Sequence, residues 1–358
     1  MLPMLLIVPT VFMASMSINN TTDQMYTLPE PSLKKLAQDH SIEIGNFAIR
    51  NLMNEPNYKT ILTTQFDLAL LDNTPNWYFT DGGLRPSATE YNFIHMDEVV
   101  NYAETNGMKM QAHHLLWGEE KWLPDWLKNG NYSKEQLDNL MHDHIQTVAG
   151  RYNGRIQQWT VVNEAFSRGQ NINGLRDWWG DATGGKDYID SAFIWARQAD
   201  PNAVLILNDF GNETQNSVSD EMYTYIKNAR QRGVPIDAIG MQMHIDGNNP
   251  PSKESVMENM ERFNDIGISV YVTEFDVTMN NVPGSKKQKE QKQAQIYYDM
   301  LRACLETDGC KSFALLGVTD KETWYNYMDG VKDPMPLPFD EKYAPKPAFD
   351  AMRKALEQ

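Results

Sequence analysis

The chain alternates short apolar runs with longer segments in which apolar residues recur at helical spacing. The run 204–207 is apolar at every position, which indicates a strand buried on both faces. Segment 134–152 repeats apolar residues every three or four positions, which is typical of an amphipathic helix. The pattern predicts eight strands, at 44–50, 63–71, 108–117, 156–164, 203–210, 238–244, 268–276 and 312–320. It predicts helices at 32–40, 96–106, 134–152, 188–199, 217–232, 253–266, 286–306 and 346–356.

Strands that alternate with helices favour parallel pairing through right-handed crossovers. Eight is the number of strands that closes a barrel filled by side chains. We therefore expect the α/β class, as a (β/α)8 TIM barrel with long βα loops, in one catalytic domain over 26–358. A doubly wound open sheet is the structural alternative, and the absence of G-x-G-x-x-G after any strand weighs against its dinucleotide-binding form.

The net charge of the chain limits the classes of molecule that it is expected to bind. The chain has 32 basic and 48 acidic residues, a formal net charge of −16. Nucleic acids and anionic lipid surfaces need Lys and Arg to neutralise phosphate, so we expect neither as a partner. A neutral polymer such as a polysaccharide is not repelled. The 9 Trp and 16 Tyr either pack in the core or offer flat faces to sugar rings, and composition leaves both open.

The amino terminus predicts export. Residues 1–15 form an apolar run of signal-peptide length, although a basic segment and an Ala-x-Ala cleavage site are missing. We expect residues 1–25 to be a leader and the mature protein to be secreted. The chain's two cysteines, Cys304 and Cys310, either form one local bridge or are unrelated thiols, and they are too few to hold zinc.

Polar residues collect where the predicted strands end, which in such barrels is the functional face. The clusters are His113-His114, Asn163-Glu164, Asn208-Asp209, Gln242 with His244, Glu274 with Asp276, and Thr319-Asp320. A single strand-end carboxylate is usually solvated or near a helix cap. Six clusters in register indicate a common site.

Glu164 and Glu274 end the fourth and seventh predicted strands, which lie across the ring from each other. Hydrolysis of an acetal needs one carboxylic acid to protonate the leaving oxygen and one carboxylate to attack carbon. Glu274 and Asp276 share a strand face, so His244 could lie between them and favour ionised Glu274, as a nucleophile requires. Glu164 has no obvious cation nearby in sequence, which suits the acid.

Other chemistries find little support. Adjacent strand residues point to opposite faces, which argues against a metal held by His113 and His114. The segment 180–186 resembles a phosphate loop, but Asp187 stands where Ser or Thr should follow and no strand precedes it. G-x-S-x-G is absent, which weighs against a serine hydrolase. We expect no metal and no cofactor.

Several motifs together resemble glycoside hydrolase family 10, the β-1,4-xylanases, over residues 32–356. They are W-T-V-V-N-E-A at 159–165, N-D at 208–209, G-V-P-I-D-A-I-G-M-Q-M-H at 233–244, V-T-E-F-D at 272–276, G-V-T-D-K-E-T-W at 317–324 and Y-A-P-K-P-A-F at 343–349. The resemblance implies an endo-acting, retaining hydrolase of xylan, with Glu164 as acid/base and Glu274 as nucleophile. It implies substrate contacts from Asn73, His113, Trp117, Asn163, Gln242, His244 and Trp324. The family's local disulfide has the spacing of Cys304 and Cys310, which supports a bridge and export. We expect a monomer.

The chain departs from the family pattern around the sugar. The departures are Asn76 for a Lys, Gly118 for a His, Glu120 for a Gln, Thr160 for an Asp and Leu316 for a Trp. A lost cation and a lost aromatic wall keep two alternatives open. The enzyme could prefer another β-linked glycan or an aryl glycoside, or the chain could be a catalytically weak carbohydrate-binding barrel.

Overall fold

Eight parallel strands close into a barrel in the computed structural model, which describes residues 28–71, 77, 83–168 and 176–358. The strands are β1 (Glu43–Ala48), β2 (Leu68–Leu71), β3 (Lys109–Trp117), β4 (Gln158–Asn163), β5 (Val204–Asp209), β6 (Ala238–Met241), β8 (Ser269–Thr278) and β9 (Cys310–Leu315). Pairing of β1 with β9 and of β6 with β8 closes the ring. A short additional strand, β7 (His244–Asp246), pairs with β8 alone at the barrel mouth. The (β/α)8 fold predicted from the sequence is confirmed.

Helices lie between the strands and cover the barrel. They are α1 (Leu33–Gln38), α2 (Pro56–Gln65), α3 (Ile94–Thr105), α4 (Asp125–Lys128), α5 (Lys134–Arg151), α6 (Trp178–Thr183), α7 (Asp187–Ala199), α8 (Ser217–Gln231), α9 (Lys253–Asp265), α10 (Lys286–Leu305) and α11 (Pro347–Leu356). Short 3-10 turns lie at Arg50–Leu52, Glu120–Trp122 and Trp324–Tyr327.

The two faces of β2 show how the apolar runs are used. Leu68 and Leu70 pack with Phe47 and Ala314 in a small cluster, whereas Ala69 and Leu71 join the large core. Successive strand side chains point to opposite faces, so one set fills the barrel and the other meets the helices. The small cluster is tight, since a Cβ at Gly45 would lie 2.8 Å from that of Ala314. This packing fixes the strand ends that carry the site.

Three strand boundaries predicted from the sequence are wrong. Residues 63–65 belong to α2, a helix that the prediction missed, where Pro56 occupies the first turn and Tyr58, Ile61, Leu62 and Gln65 bury one face. The sixth strand is interrupted after Met241, and Met243 has a positive φ of 58° before β7 begins. The last strand ends at Leu315, so Thr319 and Asp320 lie in the following loop.

The predicted bridge between Cys304 and Cys310 is present, with 5.2 Å between the two Cα atoms. It joins the end of α10 to the start of β9, and both cysteines are buried. Replacing both by serine is expected to lower the free energy of unfolding by about 2 kcal/mol, because the unfolded chain regains the freedom of a short loop. Urea denaturation without reductant measures this. Equal midpoints for variant and wild type would contradict it.

None of the helices in the described part of the chain is long and apolar enough to cross a bilayer. The predicted leader at 1–25 lies outside the described residues. Secretion, the 26–358 domain boundary and the monomeric state therefore stay predictions.

Candidate active site

Most of the strand-end residues singled out from the sequence meet at the barrel mouth, whereas Thr319 and Asp320 lie in the loop after β9, where Asp320 pairs with Lys346. Asn163 ends β4 and Glu164 follows it, Asn208 and Asp209 end β5, and Glu274 lies in the last half of β8. The side chains that line this region are nevertheless buried, with Glu164 8% and Glu274 7% exposed. Asn73, predicted to bind substrate, lies outside the described residues.

Glu274 is held by three partners. Its Oε1 accepts a hydrogen bond from Asn208 Nδ2 at 2.8 Å and lies 3.6 Å from His113 Nε2. Its Oε2 lies 3.6 Å from His244 Nε2. Burial favours the neutral acid, but His113, His244 and the Asn208 amide outweigh it and hold the pKa of Glu274 below its usual value. The carboxylate is therefore available as a nucleophile.

His244 lies between two carboxylates, as the sequence predicted. Its Nδ1 is 3.1 Å from Asp276 Oδ2, while Nε2 faces Glu274. Burial alone would lower the pKa of His244, but Asp276 and then Glu274 raise it to about 10. By contrast, burial lowers the pKa of His113, so His244 is the more readily charged of the two imidazoles beside Glu274.

Asp276 is itself fixed by the loop after β9. Trp324 Nε1 donates to its Oδ2 at 2.7 Å, and the Tyr325 hydroxyl donates to Oδ1 at 3.2 Å. The Trp324 ring lies 5.1 Å from the His244 ring and is 38% exposed. The loop thus presents an aromatic face beside His244, which suits a sugar ring.

Glu164 has a different set of partners, all of them donors. Its Oε2 accepts from Trp117 Nε1 at 2.7 Å and from Arg168 Nε at 2.5 Å. Its Oε1 accepts from Gln242 Nε2 at 3.1 Å. The expectation that Glu164 lacks a nearby cation is wrong, because a turn after β4 brings Arg168 back to it. Assignment of Glu164 as the acid then depends on Glu274 being the ionised partner.

A chain of side-chain amides connects the two carboxylates. Asn208 Nδ2 donates to both Glu274 and Asn163 Oδ1, each at 2.8 Å, and Gln242 Nε2 donates to Asn163 at 3.3 Å and to Glu164. The Thr273 hydroxyl donates to Asn208 Oδ1 at 2.7 Å, which fixes the amide's orientation. The network sets the relative position of Glu164 and Glu274.

Gly240 is needed for this network. A Cβ there would overlap the Asn208 amide, with 2.8 Å to its Cγ. Only glycine leaves room for Asn208 to reach across to Glu274.

The two adjacent histidines depart from the predicted alternation. The His113–His114 peptide bond is cis, the register with β4 shifts after His113, and the two rings lie 4.6 Å apart in an edge contact. They therefore do not point to opposite faces, and that argument against a metal is wrong. Within the described residues, no group of three or more His, Cys, Asp or Glu is arranged to hold a metal ion.

Sequence reasoning missed Arg168 and the bridging role of Asn208. Arg168 was detectable only as a cation four residues after Glu164, a spacing that matters when the chain turns there. Asn208 was recognised as a strand-end residue, but its two partners come from β4 and β8, and sequence spacing does not report such contacts.

Asp209 accepts hydrogen bonds from the turn that follows Glu164. Its carboxylate accepts from the backbone N–H groups of Phe166, Ser167 and Phe210 and from the Ser167 hydroxyl. Burial raises the pKa of Asp209 to about 7, against these four donors.

Asp209→Asn is expected to lower the free energy of unfolding at pH 8 by about 1–3 kcal/mol, because an amide NH2 would face N–H donors that need an acceptor. Urea unfolding at that pH measures the change. Ser167→Ala is the graded control, since it removes one donor and leaves the carboxylate, and its cost should be smaller. A loss for Asp209→Asn no larger than for Ser167→Ala would contradict the prediction.

Comparison with known proteins places this geometry in context. The model of the family described as Glycosyl hydrolase family 10 matches residues 32–355. The chain is 36% identical to endo-1,4-beta-xylanase B of Thermotoga neapolitana over 91% of this chain and 92% of that protein. It is 32% identical to a beta-1,4-xylanase of Dictyoglomus thermophilum over 89% of each.

Solved structures with a similar fold are also xylanases. Native xylanase 10B from Thermotoga maritima superposes with a TM-score of 0.84 at 35% identity, covering 91% of this chain and 98% of that one. Xylanase 10B from Thermotoga petrophila, solved in complex with xylobiose, also gives 0.84, at 34% identity over 93% and 99%.

Proposed function

The chain belongs to glycosyl hydrolase family 10, and from this premise we propose that it is a secreted endo-β-1,4-xylanase that cleaves with retention. The observation that supports this most is the unequal environment of two carboxylates at one barrel mouth. Glu274 lies between the His244 imidazolium and the Asn208 amide, while Glu164 accepts from the Trp117 and Gln242 N–H groups and from the Arg168 guanidinium. Retaining glycosidases divide the work between two carboxyl groups in this way.

The reaction follows from these environments. Glu274 attacks the anomeric carbon while Glu164 gives its proton to the departing sugar oxygen, which leaves a glycosyl ester on Glu274. Glu164, now a carboxylate, takes a proton from a water molecule whose oxygen attacks the same carbon. Glu274 leaves as a carboxylate, and the sum is one bond hydrolysed by one water with the β configuration kept.

His244 and Asp276 serve the first step by keeping Glu274 ionised. Asn163, Gln242 and His113 surround the point of cleavage, and Trp117 and Trp324 offer aromatic edges and faces on either side. We assign them to substrate contact, because each touches a catalytic carboxylate or its direct partner.

Two of the departures from the family pattern, Gly118 and Leu316, can be related to their surroundings in the structure. A Cβ at Gly118 would overlap the Asp177 carboxylate and lie 2.9 Å from Trp178 N, so the loop after β4 occupies the space of the expected imidazole. Leu316 packs half-buried against the cluster of Phe47, Leu68, Leu70 and Ala314. Asn76 lies outside the described residues. The changes at Gly118 and Leu316 leave Glu164 and Glu274 in place.

Hydrolysis of p-nitrophenyl β-xylobioside and β-cellobioside tests the substrate class. We expect kcat/KM to favour the xylobioside by about 10-fold or more, since a site shaped for xylose must accommodate an added hydroxymethyl group on glucose. Equal or better rates on the cellobioside would favour another β-linked glycan, and binding of xylan without turnover would favour a carbohydrate-binding barrel. The products from undecorated xylan should be short oligomers, as endo cleavage requires.

A further inference from the structure

Arg168 makes a buried double ion pair beside the proposed acid/base. Its side chain is 8% exposed, with Nε 2.5 Å from Glu164 Oε2 and a terminal guanidinium nitrogen 2.5 Å from Glu119 Oε2. The guanidinium lies 5.6 Å from the centre of the Trp117 ring. A buried arginine shared by two carboxylates, one of them proposed to react, calls for an explanation beyond packing.

The contacts distinguish the two oxygens of Glu164. Oε2 accepts from both Trp117 and Arg168, which occupies its acceptor capacity in the carboxylate plane. Among the residues that the structure describes, Oε1 accepts from Gln242 alone, at the longer distance of 3.1 Å. A proton on Oε2 would have to displace a charged donor, whereas a proton on Oε1 would displace one neutral amide contact. The proton transferred in the reaction therefore belongs on Oε1.

The guanidinium contact also bears differently on the two steps of the proposed reaction. A guanidinium in contact with a carboxylate favours the ionised form, which is needed as base in the second step and must be protonated for the first. Glu119 competes for the same guanidinium and is 21% exposed, so it limits that bias. Among the described residues, the other titratable groups nearby are His113 and His114 on β3 and Asp209 on β5, with Glu274 and His244 across the amide network.

Building on the proposed function, we propose that Arg168, held by Glu119, is a positioning residue that fixes Oε2 of Glu164, assigns proton delivery to Oε1 and shifts the acid/base balance of Glu164 toward the base. Arg168 acts through Glu164 and does not itself contact the scissile bond. The contact therefore affects the rates of the two steps in opposite ways. Hydrolysis of the glycosyl-enzyme becomes faster because Glu164 is ionised, whereas formation of the glycosyl-enzyme from a substrate with a poor leaving group becomes slower.

The test compares pH profiles of Arg168→Met, Glu119→Gln and Arg168→Lys. With a poor leaving group such as phenyl β-xylobioside, the alkaline limb of kcat/KM should move up by about 1 pH unit in Arg168→Met, since the acid form persists longer. It should move down in Glu119→Gln, where the guanidinium is no longer shared. Arg168→Lys keeps the charge and should return the limb toward the wild-type position.

A second substrate separates the two steps. With 2,4-dinitrophenyl β-xylobioside, whose departure needs no acid, kcat reports deglycosylation, and its acidic limb should move up by about 1 pH unit in Arg168→Met, because Glu164 must be ionised to act as the base. Arg155→Met, which breaks the exposed pair of Arg155 with Glu104, is the control and should leave both limbs unmoved.

Limb shifts of opposite sign in Arg168→Met and Glu119→Gln would support the proposal, and a fold defect cannot produce them. Unmoved limbs, or parallel losses on both substrates at every pH, would overturn it. A wild-type protein that cleaves neither substrate would instead overturn the proposed function, and this inference with it.

Discussion

Glu274→Ala is expected to lower kcat on xylan by about 10⁵-fold, because no glycosyl ester can form without the Glu274 carboxylate. The amide network and Glu164 remain, so substrate binding should survive and the loss should fall on kcat. Initial rates with purified variant on xylan, alongside its binding to xylo-oligosaccharides, measure the two effects separately.

Azide gives this variant a stereochemical signature. A small anion can occupy the space of the missing carboxylate and attack the anomeric carbon of an activated aryl xylobioside from the face that Glu274 used. The product should be the α-xylobiosyl azide, with inversion. Glu104→Gln, a carboxylate change on α3 at the opposite end of the barrel, is the control and should keep wild-type turnover. Retention of more than a tenth of wild-type kcat in Glu274→Ala would contradict its role as nucleophile.

Glu164→Ala is expected to give the second largest effect, and one that depends on the leaving group. On xylan, where the departing sugar oxygen needs a proton, kcat/KM should fall about 10³-fold. On 2,4-dinitrophenyl β-xylobioside, where the phenolate leaves unaided, kcat/KM should stay within about 10-fold of wild type, while kcat falls because water lacks its base.

Azide again identifies the missing group. Here the glycosyl ester on Glu274 still forms, and azide attacks it from the face that Glu164 serves, which yields the β-xylobiosyl azide. Opposite anomers from the two alanine variants would assign the two carboxylates independently. Equal losses on both leaving groups would contradict the assignment of Glu164 as acid/base.

The sequence predicted the barrel because its information is local. Apolar runs such as the one in β5 and the periodic helices give each strand and helix without knowledge of its neighbours. The same reasoning found Glu164 and Glu274, since function collects at strand ends. Local patterns failed where two elements compete for a short segment, as at 63–65, where the end of α2 looked like the start of a strand.

Contacts between residues on different strands were harder to predict from the sequence. The Glu274–His244–Asp276 contact was predicted because adjacent strands and period-two alternation bring those residues together. Arg168 was missed because its approach to Glu164 depends on a turn of the loop after β4. The histidine pair was misread because alternation assumes a regular strand, and β3 is irregular at that point.

The most direct test of the proposed double-displacement mechanism is to trap the glycosyl ester on Glu274. Incubation with 2,4-dinitrophenyl 2-deoxy-2-fluoro-β-xylobioside should add one fluoroxylobiosyl group per protein, because the fluorine slows both steps while the dinitrophenolate leaving group restores the rate of formation. Peptide mapping by mass spectrometry should place the label on Glu274, and the labelled protein should regain activity when xylobiose is added as acceptor. A label on any other carboxylate, or turnover of xylan that releases the α-anomer first and leaves no trapped ester, would contradict it.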